Sequence, residues 1–261
     1  MSQTSNQKKT LLRTFIDSQI WLSKKFDTLL PEVYRTDGNS DFINNVAPKY
    51  VQHPTLKIYD LGGGSQPFVS LEQKEKYGHT IVGLDIDADE LDAAPDGIYD
   101  EKIVADLSQY KGAGDADLVI CQAALEHVHD NVGAFRAIAS VLKPEGKAVL
   151  FAPSRNAVFA RLNLVLPEAW KRKLLFKLFP HKAEGHDGFP AFYDHCTPSE
   201  FRKLASRNGL NVEVMRPYYI SSYFQIFFPV YVLWRLWVVA FKAIAGEAAA
   251  ETMVFVLKKK D

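Results

Sequence analysis

The sequence predicts a doubly wound α/β fold, and three observations lead to that prediction. A short apolar strand-like run ends in Asp60 and the consecutive glycines 62–64. Four further short apolar runs follow before residue 153, with helical spacing or turn residues between them. At 261 residues with 47% hydrophobic content, the chain is long enough to bury the core that such a sheet needs. Strands that alternate with helices in this way form a parallel sheet.

The N-terminal part precedes this alternation. Apolar residues recur at helical spacing from about residue 10 to residue 30, and Pro31 follows where the pattern stops. Residues 34–54 are turn-rich, with one short helix expected at Phe42–Val46. We therefore predict an N-terminal helical cap over residues 1–56, which covers the core or lines a pocket, and a main domain over residues 57–261.

The alternation itself starts with the strand at Ile58–Leu61. The glycine turn follows, and Pro67 is expected to open a helix at 68–77 that Gly78 ends. The next strands are predicted at residues 80–84, ending at Asp85 and Asp87, then at 102–105, at 116–122 and, after a helix over 131–142, at 147–152.

Two insertions interrupt the C-terminal half, at about residues 155–196 and 220–250. Between them, Thr197 and Glu200 have the spacing of a capping box for a helix that runs to about Asn208. Strands six and seven are predicted at residues 211–215 and 252–257.

Composition excludes several classes of protein. The formal net charge is zero, and no basic face with stacking aromatics follows the strands, so nucleic acid is not an expected partner. Two cysteines are too few for a disulfide framework, and the N-terminus lacks the uninterrupted apolar run of a signal peptide, so we expect a cytoplasmic protein. His127 and His129 have no third ligand at a telling spacing, and no metal is expected.

The glycine turn is typical of an adenosine-binding site. Asp85 lies about twenty residues past it, where an acid accepts hydrogen bonds from ribose hydroxyls. A dinucleotide site also needs a third glycine where this chain has Pro67, and no tyrosine is followed four residues later by lysine as in short-chain dehydrogenases. An NAD-dependent oxidoreductase is therefore the weaker alternative.

Several segments together give a family resemblance: YDLGGGSQP, GLDID, VADL, and DLVICQAALEHVHD followed by LKPEGKAVLFAPS. The chain resembles the class I S-adenosylmethionine-dependent methyltransferases over residues 58–154, and in outline over 197–260. The resemblance implies a Rossmann-like seven-stranded sheet whose last strand is antiparallel, with S-adenosylmethionine as cofactor. It places Asp60 and Gly62–Gly64 around the methionine portion and Asp85 at the ribose. The full set of implied cofactor residues is Asp60, Gly62, Gly63, Gly64, Asp85, Ile86, Asp106, Leu107, Gln122 and Ala123.

Methyl transfer to a hydroxyl needs alignment and a base. The candidate catalytic residues are His127 and His195, ranked above Glu126, His186 and Asp187 because neutral imidazole suits proton removal near pH 7. We expect O-methylation of a glycan, lipid-linked or small-molecule acceptor. The alternative is a non-enzymatic, methyltransferase-like binding or scaffold subunit.

The apolar stretch 220–245 is long enough to span a bilayer. Spanning conflicts with the return of strand seven to the sheet, and the run is interrupted by Gln225, Pro229, Arg235 and Lys242. It is expected to form a helical hairpin or to lie in the membrane interface, where the basic segment 171–182 would favour peripheral contact at the inner face. A lid or a homodimer interface is the alternative.

Overall fold

The structure is a computed structural model that describes residues 2–166, 190–221 and 224–261, with side chains from Arg13 onward. Seven strands form one sheet: β1 Lys57–Leu61, β2 Thr80–Asp85, β3 Glu101–Val104, β4 Ala116–Gln122, β5 Leu142–Pro153, β6 Leu210–Tyr218 and β7 Thr252–Lys259. Their order across the sheet is β3-β2-β1-β4-β5-β7-β6. Strands β1 to β5 pair in parallel, and β7 is antiparallel to both β5 and β6. The predicted Rossmann-like fold class with its antiparallel last strand is confirmed.

Nine α-helices accompany the sheet in the described residues: α1 Ser2–Asp27, α2 Gly38–Asp41, α3 Pro48–Val51, α4 Leu71–Tyr77, α5 Ala88–Asp92, α6 Asn131–Val141, α7 Val158–Val165, α8 Pro198–Arg207 and α9 Phe228–Ala245. The expected short helix at Phe42–Val46 is a π-helical turn between α2 and α3. The predicted insertion between strands six and seven is helical and contains α9, a single helix where a helical hairpin was one of the two expectations.

The prediction that Pro67 opens the first helix is wrong. Helix α4 begins at Leu71, where Ser70 and Gln73 form a reciprocal capping box, and it ends at Gly78 in the left-handed conformation as expected. The N–H of Phe68 instead donates to the Asp60 carboxylate at 2.8 Å. This bond ties the segment before α4 back to the end of β1, so that an irregular turn replaces the expected first helical turn.

Of the two reciprocal hydrogen bonds in the capping box predicted at the start of α8, the one accepted by the N-cap side chain is present. Thr197 Oγ1 accepts the N–H of Glu200 at 3.3 Å. The Glu200 carboxylate accepts a hydrogen bond from Lys203 Nζ at 2.6 Å.

The core lies on both faces of the sheet. One face packs against α6 and α8, with Phe135 and Phe201 fully or almost fully buried. On the other face, Phe42, Val46 and Val51 pack with Ile58 and other residues of the strands. Residues from the predicted N-terminal cap thus contribute to the core, and a domain boundary at residue 56 stays a prediction.

The insertion between β6 and β7 begins and ends at one edge of the sheet. Tyr218 at the end of β6 pairs with Thr252 at the start of β7, and Thr252 also pairs with Pro153 at the end of β5. This is the carboxyl edge of the parallel strands, where α/β sheets of this kind bind their ligands. Helix α9 therefore departs from the same edge as the candidate site described below.

Candidate active site

The glycine turn after β1 forms the floor of the candidate site. Gly62 and Gly64 have positive φ angles of 72° and 47°, which glycine adopts at little cost. Gly62 N–H donates to the carbonyl of Leu84 at 2.8 Å, which joins the turn to β2. A Cβ on Gly63 would lie 2.6 Å from the carboxyl carbon of Asp60. A side chain at Gly63 would therefore collide with the Asp60 carboxyl, and glycine lets the turn fold closely over the end of β1.

Asp60 is a buried carboxyl at the end of β1, with 3% of its surface exposed. Burial raises the pKa of Asp60 to about 7, the nearby charge of Asp85 adds to the rise, and the hydrogen bond from Phe68 N–H opposes it. A positive group brought close to Asp60 would stabilise its ionised form.

Two further acids surround the turn. Burial raises the pKa of Asp85, which ends β2, and the charges of Glu90 and Asp87 add to this effect against hydrogen bonds from backbone N–H groups. Glu90, on α5, accepts a hydrogen bond from Ser65 Oγ at 2.6 Å. A Cβ on Gly64 would come within 3.3 Å of both Asp85 and Glu90 oxygens. The clustered carboxylates favour a ligand that carries positive charge near the turn.

The end of β4 forms the opposite wall. Ala123 has φ of 53°, a left-handed conformation that costs a non-glycine residue energy and is enriched at functional sites. Its N–H donates to the carbonyl of Phe151 at 2.9 Å. Gln122 Nε2 donates to Asn39 Oδ1 of α2 at 2.8 Å. Helix α2 therefore contacts a residue of the site's wall.

Two adjoining cavities open at this edge. The first, about 340 Å³, is lined by Asp60, Gly62, Gly63, Gly64, Ser65, Gln66, Phe68, Asp85, Glu90, Gln122 and Ala123. The second, about 470 Å³, is lined by Gly62, Leu84, Asp85, Ile86, Ala105, Asp106, Leu107, Ala123, Ala124, His127, Val128, His129, Pro190 and Phe192. All ten cofactor residues implied by the sequence line one cavity or both.

His127 belongs to the wall of the second cavity. Its Nδ1 lies 3.2 Å from the carbonyl oxygen of Pro190, and its Nε2 lies 3.8 Å from Glu126 Oε1. The carbonyl of Glu126 accepts the N–H groups of Phe192 and Tyr193 at 2.8 and 3.0 Å. These contacts hold the segment that follows residue 189 against the 3₁₀ turn after β4, and so fix the wall that contains His127.

Glu126 turns inward beneath this wall. It is 5% exposed, and its Oε2 has no hydrogen-bond partner among the described residues. Burial raises the pKa of Glu126 to about 8. The carboxyl is therefore protonated for the most part at pH 7, unlike a carboxylate base ready to accept a proton.

The other candidate bases are placed differently. His195 lines neither cavity, and its Nδ1 lies 2.8 Å from Asp194 Oδ1. His186, Asp187 and the basic segment 171–182 lie outside the described residues. Of the two histidines predicted as catalytic, the structure brings only His127 to the cofactor residues.

Sequence reasoning missed several residues of the site. Glu90 could have been suspected from the run of acids after β2, of which Asp87 is the N-cap of α5. Asn39 and Phe192 gave no signal, because both are distant in sequence from the strand ends they adjoin. Within the described part of the chain, no group of three or more His, Cys, Asp or Glu residues is arranged to hold a metal ion.

Comparison with known proteins agrees with this geometry. The sequence model of a protein family described as a methyltransferase domain matches residues 32–214 of this chain. A ubiquinone biosynthesis O-methyltransferase of Vibrio parahaemolyticus is 25% identical over 203 residues, which cover 72% of this chain and 80% of that protein.

Two solved structures show the same fold. An S-adenosylmethionine-dependent methyltransferase from Mesorhizobium loti has a TM-score of 0.53 at 18% identity, over 82% of this chain and 96% of that one. A geranyl diphosphate C-methyltransferase from Streptomyces coelicolor has a TM-score of 0.52 at 12% identity, over 81% of this chain and 74% of that one. The family match covers most of the chain, which therefore belongs to the class I S-adenosylmethionine-dependent methyltransferases.

Proposed function

We propose that the protein transfers a methyl group from S-adenosylmethionine to an oxygen atom of a small acceptor, and that His127 removes the proton of the acceptor hydroxyl. The observation that carries the proposal is the position of His127 in the wall of the second cavity, which shares Gly62, Asp85 and Ala123 with the first. A base in that position adjoins the cofactor residues on the side where an acceptor can enter.

The residues of the two cavities fit the cofactor. Gly63 lets the turn fold closely over the buried Asp60 carboxyl, and the described residues that line the first cavity include no basic side chain. Asp60 and the glycines would hold the cationic methionine portion, Asp85 the ribose hydroxyls, and Asp106 with Leu107 the adenine. When bound, S-adenosylmethionine supplies an electrophilic methyl group on a sulfonium.

The part of the second cavity beyond the cofactor residues supports an apolar acceptor over a glycan. Asp85, Ile86, Asp106 and Leu107 are assigned to the cofactor, and the lining beyond them includes Val128, Pro190 and Phe192. The ring of His129 lies 4.7 Å from that of Phe192, centroid to centroid. An aromatic or lipid-linked hydroxyl compound would bury apolar surface there, whereas a glycan would leave its hydroxyls without partners.

Two observations support oxygen as the methylated atom of the acceptor. The Vibrio parahaemolyticus relative is named as an O-methyltransferase, while the Streptomyces coelicolor structure is named as a C-methyltransferase. The fold alone is thus compatible with more than one methylated atom. Imidazole in the cavity wall favours an acceptor that must lose a proton as it reacts, and a hydroxyl is such an acceptor.

The test is methyl transfer from labelled S-adenosylmethionine to phenols with and without a prenyl tail, to a sugar panel, and to amines. We expect label on the oxygen of an apolar phenol. His127→Ala should lower kcat by roughly 10² to 10⁴-fold with unchanged affinity for S-adenosylmethionine. His195→Ala is the matched control and should stay within a few-fold of the wild type.

Label on nitrogen or carbon alone would contradict O-methylation. A His127→Ala variant with wild-type kcat would contradict the role of His127, whichever atom is methylated.

A further inference from the structure

Helix α9 is apolar on both its faces. Its inner face is buried and includes Tyr231, Trp234, Arg235 and Val238. Every exposed residue of the helix is also apolar: Pro229, Val230, Leu233, Leu236, Trp237, Ala240, Ala243 and Ile244. Leu233 is 68% and Trp237 54% exposed. By length and composition α9 could cross a membrane, but the structure assigns it a different position.

The inner face is fixed to the protein by a buried charge. Arg235, fully buried, donates from Nε to Asp27 Oδ1 at 2.9 Å, and from Nη1 and Nη2 to the carbonyls of Tyr219 and Tyr34 at 2.5 Å. Tyr231 Oη donates to the other oxygen of Asp27. If α9 left the protein to span a bilayer, these hydrogen bonds would break and the charge of Arg235 would be unpaired inside the bilayer. The helix therefore keeps its inner face on α1 and offers only its outer face.

Helix α1 continues the exposed apolar surface. Trp21 of α1 is 62% exposed, Leu29 in the turn after α1 is 78% exposed, and Phe26 packs its ring against Phe228 at the start of α9. Exposed Lys24 and Lys25 lie in the same turns of α1. Over its length α1 has five basic residues and two acids, and one of those acids, Asp27, is neutralised by Arg235.

We propose that the outer face of α9 and the exposed residues of α1 form a docking surface for an anionic lipid bilayer, into whose interface the protein inserts without crossing it. Tryptophans and lysines beside an uninterrupted apolar stripe are the composition of interfacial helices. Anionic headgroups would neutralise Lys24 and Lys25, whereas a symmetric dimer through the same surface would bring the two copies of this basic helix together. Charge complementarity thus favours the bilayer over a second copy.

The surface also connects to the site. Both ends of the α9 insertion lie at the carboxyl edge of the sheet, where Glu251 N–H donates to Tyr218 O at 2.8 Å and Ser154 N–H donates to Glu251 O at 2.9 Å. Asn156 Nδ2 binds the carbonyl of Ala248 at 3.0 Å just after β5. Docking through α9 would place the lipid next to the carboxyl edge of the sheet at β5, β6 and β7, the same edge that carries both cavities. A lipid-linked acceptor would then reach the site from the bilayer.

The experiment is co-sedimentation of the full chain with vesicles of phosphatidylcholine alone or mixed with phosphatidylglycerol. We expect binding to the mixed vesicles, and Leu233→Glu combined with Trp237→Glu should weaken it about 100-fold or more. Leu71→Glu, at an exposed position in α4, is the matched control and should bind as the wild type does. Lys24→Glu with Lys25→Glu should weaken binding to the mixed vesicles at least about tenfold.

The depth to which the tryptophans enter the bilayer gives an independent measure of docking. Brominated lipids should quench the tryptophan fluorescence of the wild type, and Trp237→Phe should lose part of that quenching while it still binds. Far-ultraviolet circular dichroism of each variant confirms that it is folded.

Wild-type protein left in the supernatant with both kinds of vesicle would overturn the proposal. So would sedimentation velocity that shows a dimer which Leu233→Glu dissociates, with no vesicle binding. Vesicle binding is measured without turnover, so its failure would leave the O-methylation proposal untouched.

Discussion

Burial of Asp60 beside Asp85 makes ionisation of the Asp60 carboxyl unfavourable in the ligand-free protein. The carboxyl lies at the buried end of β1, its pKa is raised to about 7, and within the described part of the chain the one hydrogen bond it accepts comes from Phe68 N–H. Relative to its ordinary value of 3.8, the folded state binds more protons than the unfolded state between about pH 4 and pH 7. The contribution of Asp60 to stability therefore falls as pH rises through that window.

Asp60→Asn should accordingly stabilise the ligand-free protein at high pH only. We expect little gain near pH 4, a gain that grows between pH 4 and pH 7, and a plateau of up to about 4 kcal/mol above pH 7. The measurement is urea unfolding of both proteins across pH 5 to 8. Affinity for S-adenosylmethionine should fall in the variant, because the negative charge beneath the methionine portion is lost. A stability difference that does not change with pH would contradict the assignment.

The sequence predicted that the implied cofactor residues lie together, because they follow strand ends in a fixed order. Gly62, Asp85 and Ala123 could be named from motifs alone, and the structure brings them to two adjoining cavities. Asn39 could not, since its contact with Gln122 joins residues 83 positions apart. The sequence ranked His127 only slightly above His195, and the structure separates them because His127 lines the second cavity and His195 lines neither.

Helix α9 differs more than any other described element from what the sequence predicted. Arg235 looked like an interruption of an apolar run, yet it is the residue that attaches the helix. Asp27, its partner, lies 208 positions earlier in the chain, so no local pattern could have revealed the pair. Pro67 is a similar case, since the hydrogen bond from Phe68 N–H to Asp60 overrides a good helix-opening residue.

Breaking this attachment should destabilise the protein strongly. Arg235→Met leaves the Asp27 carboxylate buried with Tyr231 as its remaining side-chain partner, and we expect a loss of about 3 to 5 kcal/mol. Arg202→Met is the matched control, because the Arg202–Glu247 pair is exposed and should contribute less than about 1 kcal/mol. Chemical denaturation of the three proteins measures both values. Equal losses in the two variants would show that Asp27 is not held in the way described.

For the molecule as a whole, the number of strands, their sequence order and the antiparallel last strand were predictable. Hydrophobic runs mark the strands, short crossovers make the first five parallel, and the family resemblance implies the end of the sheet. The placement of the N-terminal region was not predictable, because residues 38–51 pack on the sheet through Phe42, Val46 and Val51 without any periodic signal that points to it. The proposed acceptor side of the second cavity includes Pro190 and Phe192, whose position depends on such long-range packing, whereas the implied cofactor residues follow strand ends that the sequence marks.

We infer that the glycine turn and Asp85 hold S-adenosylmethionine. Calorimetric titration of the wild type with S-adenosylmethionine and with NAD tests it most directly, with Asp85→Asn as the variant and Asp96→Asn, an exposed aspartate away from both cavities, as the matched control. We predict that the wild type and Asp96→Asn bind S-adenosylmethionine equally. Asp85→Asn should bind it roughly 10- to 100-fold more weakly, as expected for lost charge-assisted hydrogen bonds, and NAD should not bind. Unchanged binding in Asp85→Asn, or binding of NAD alone, would contradict the account.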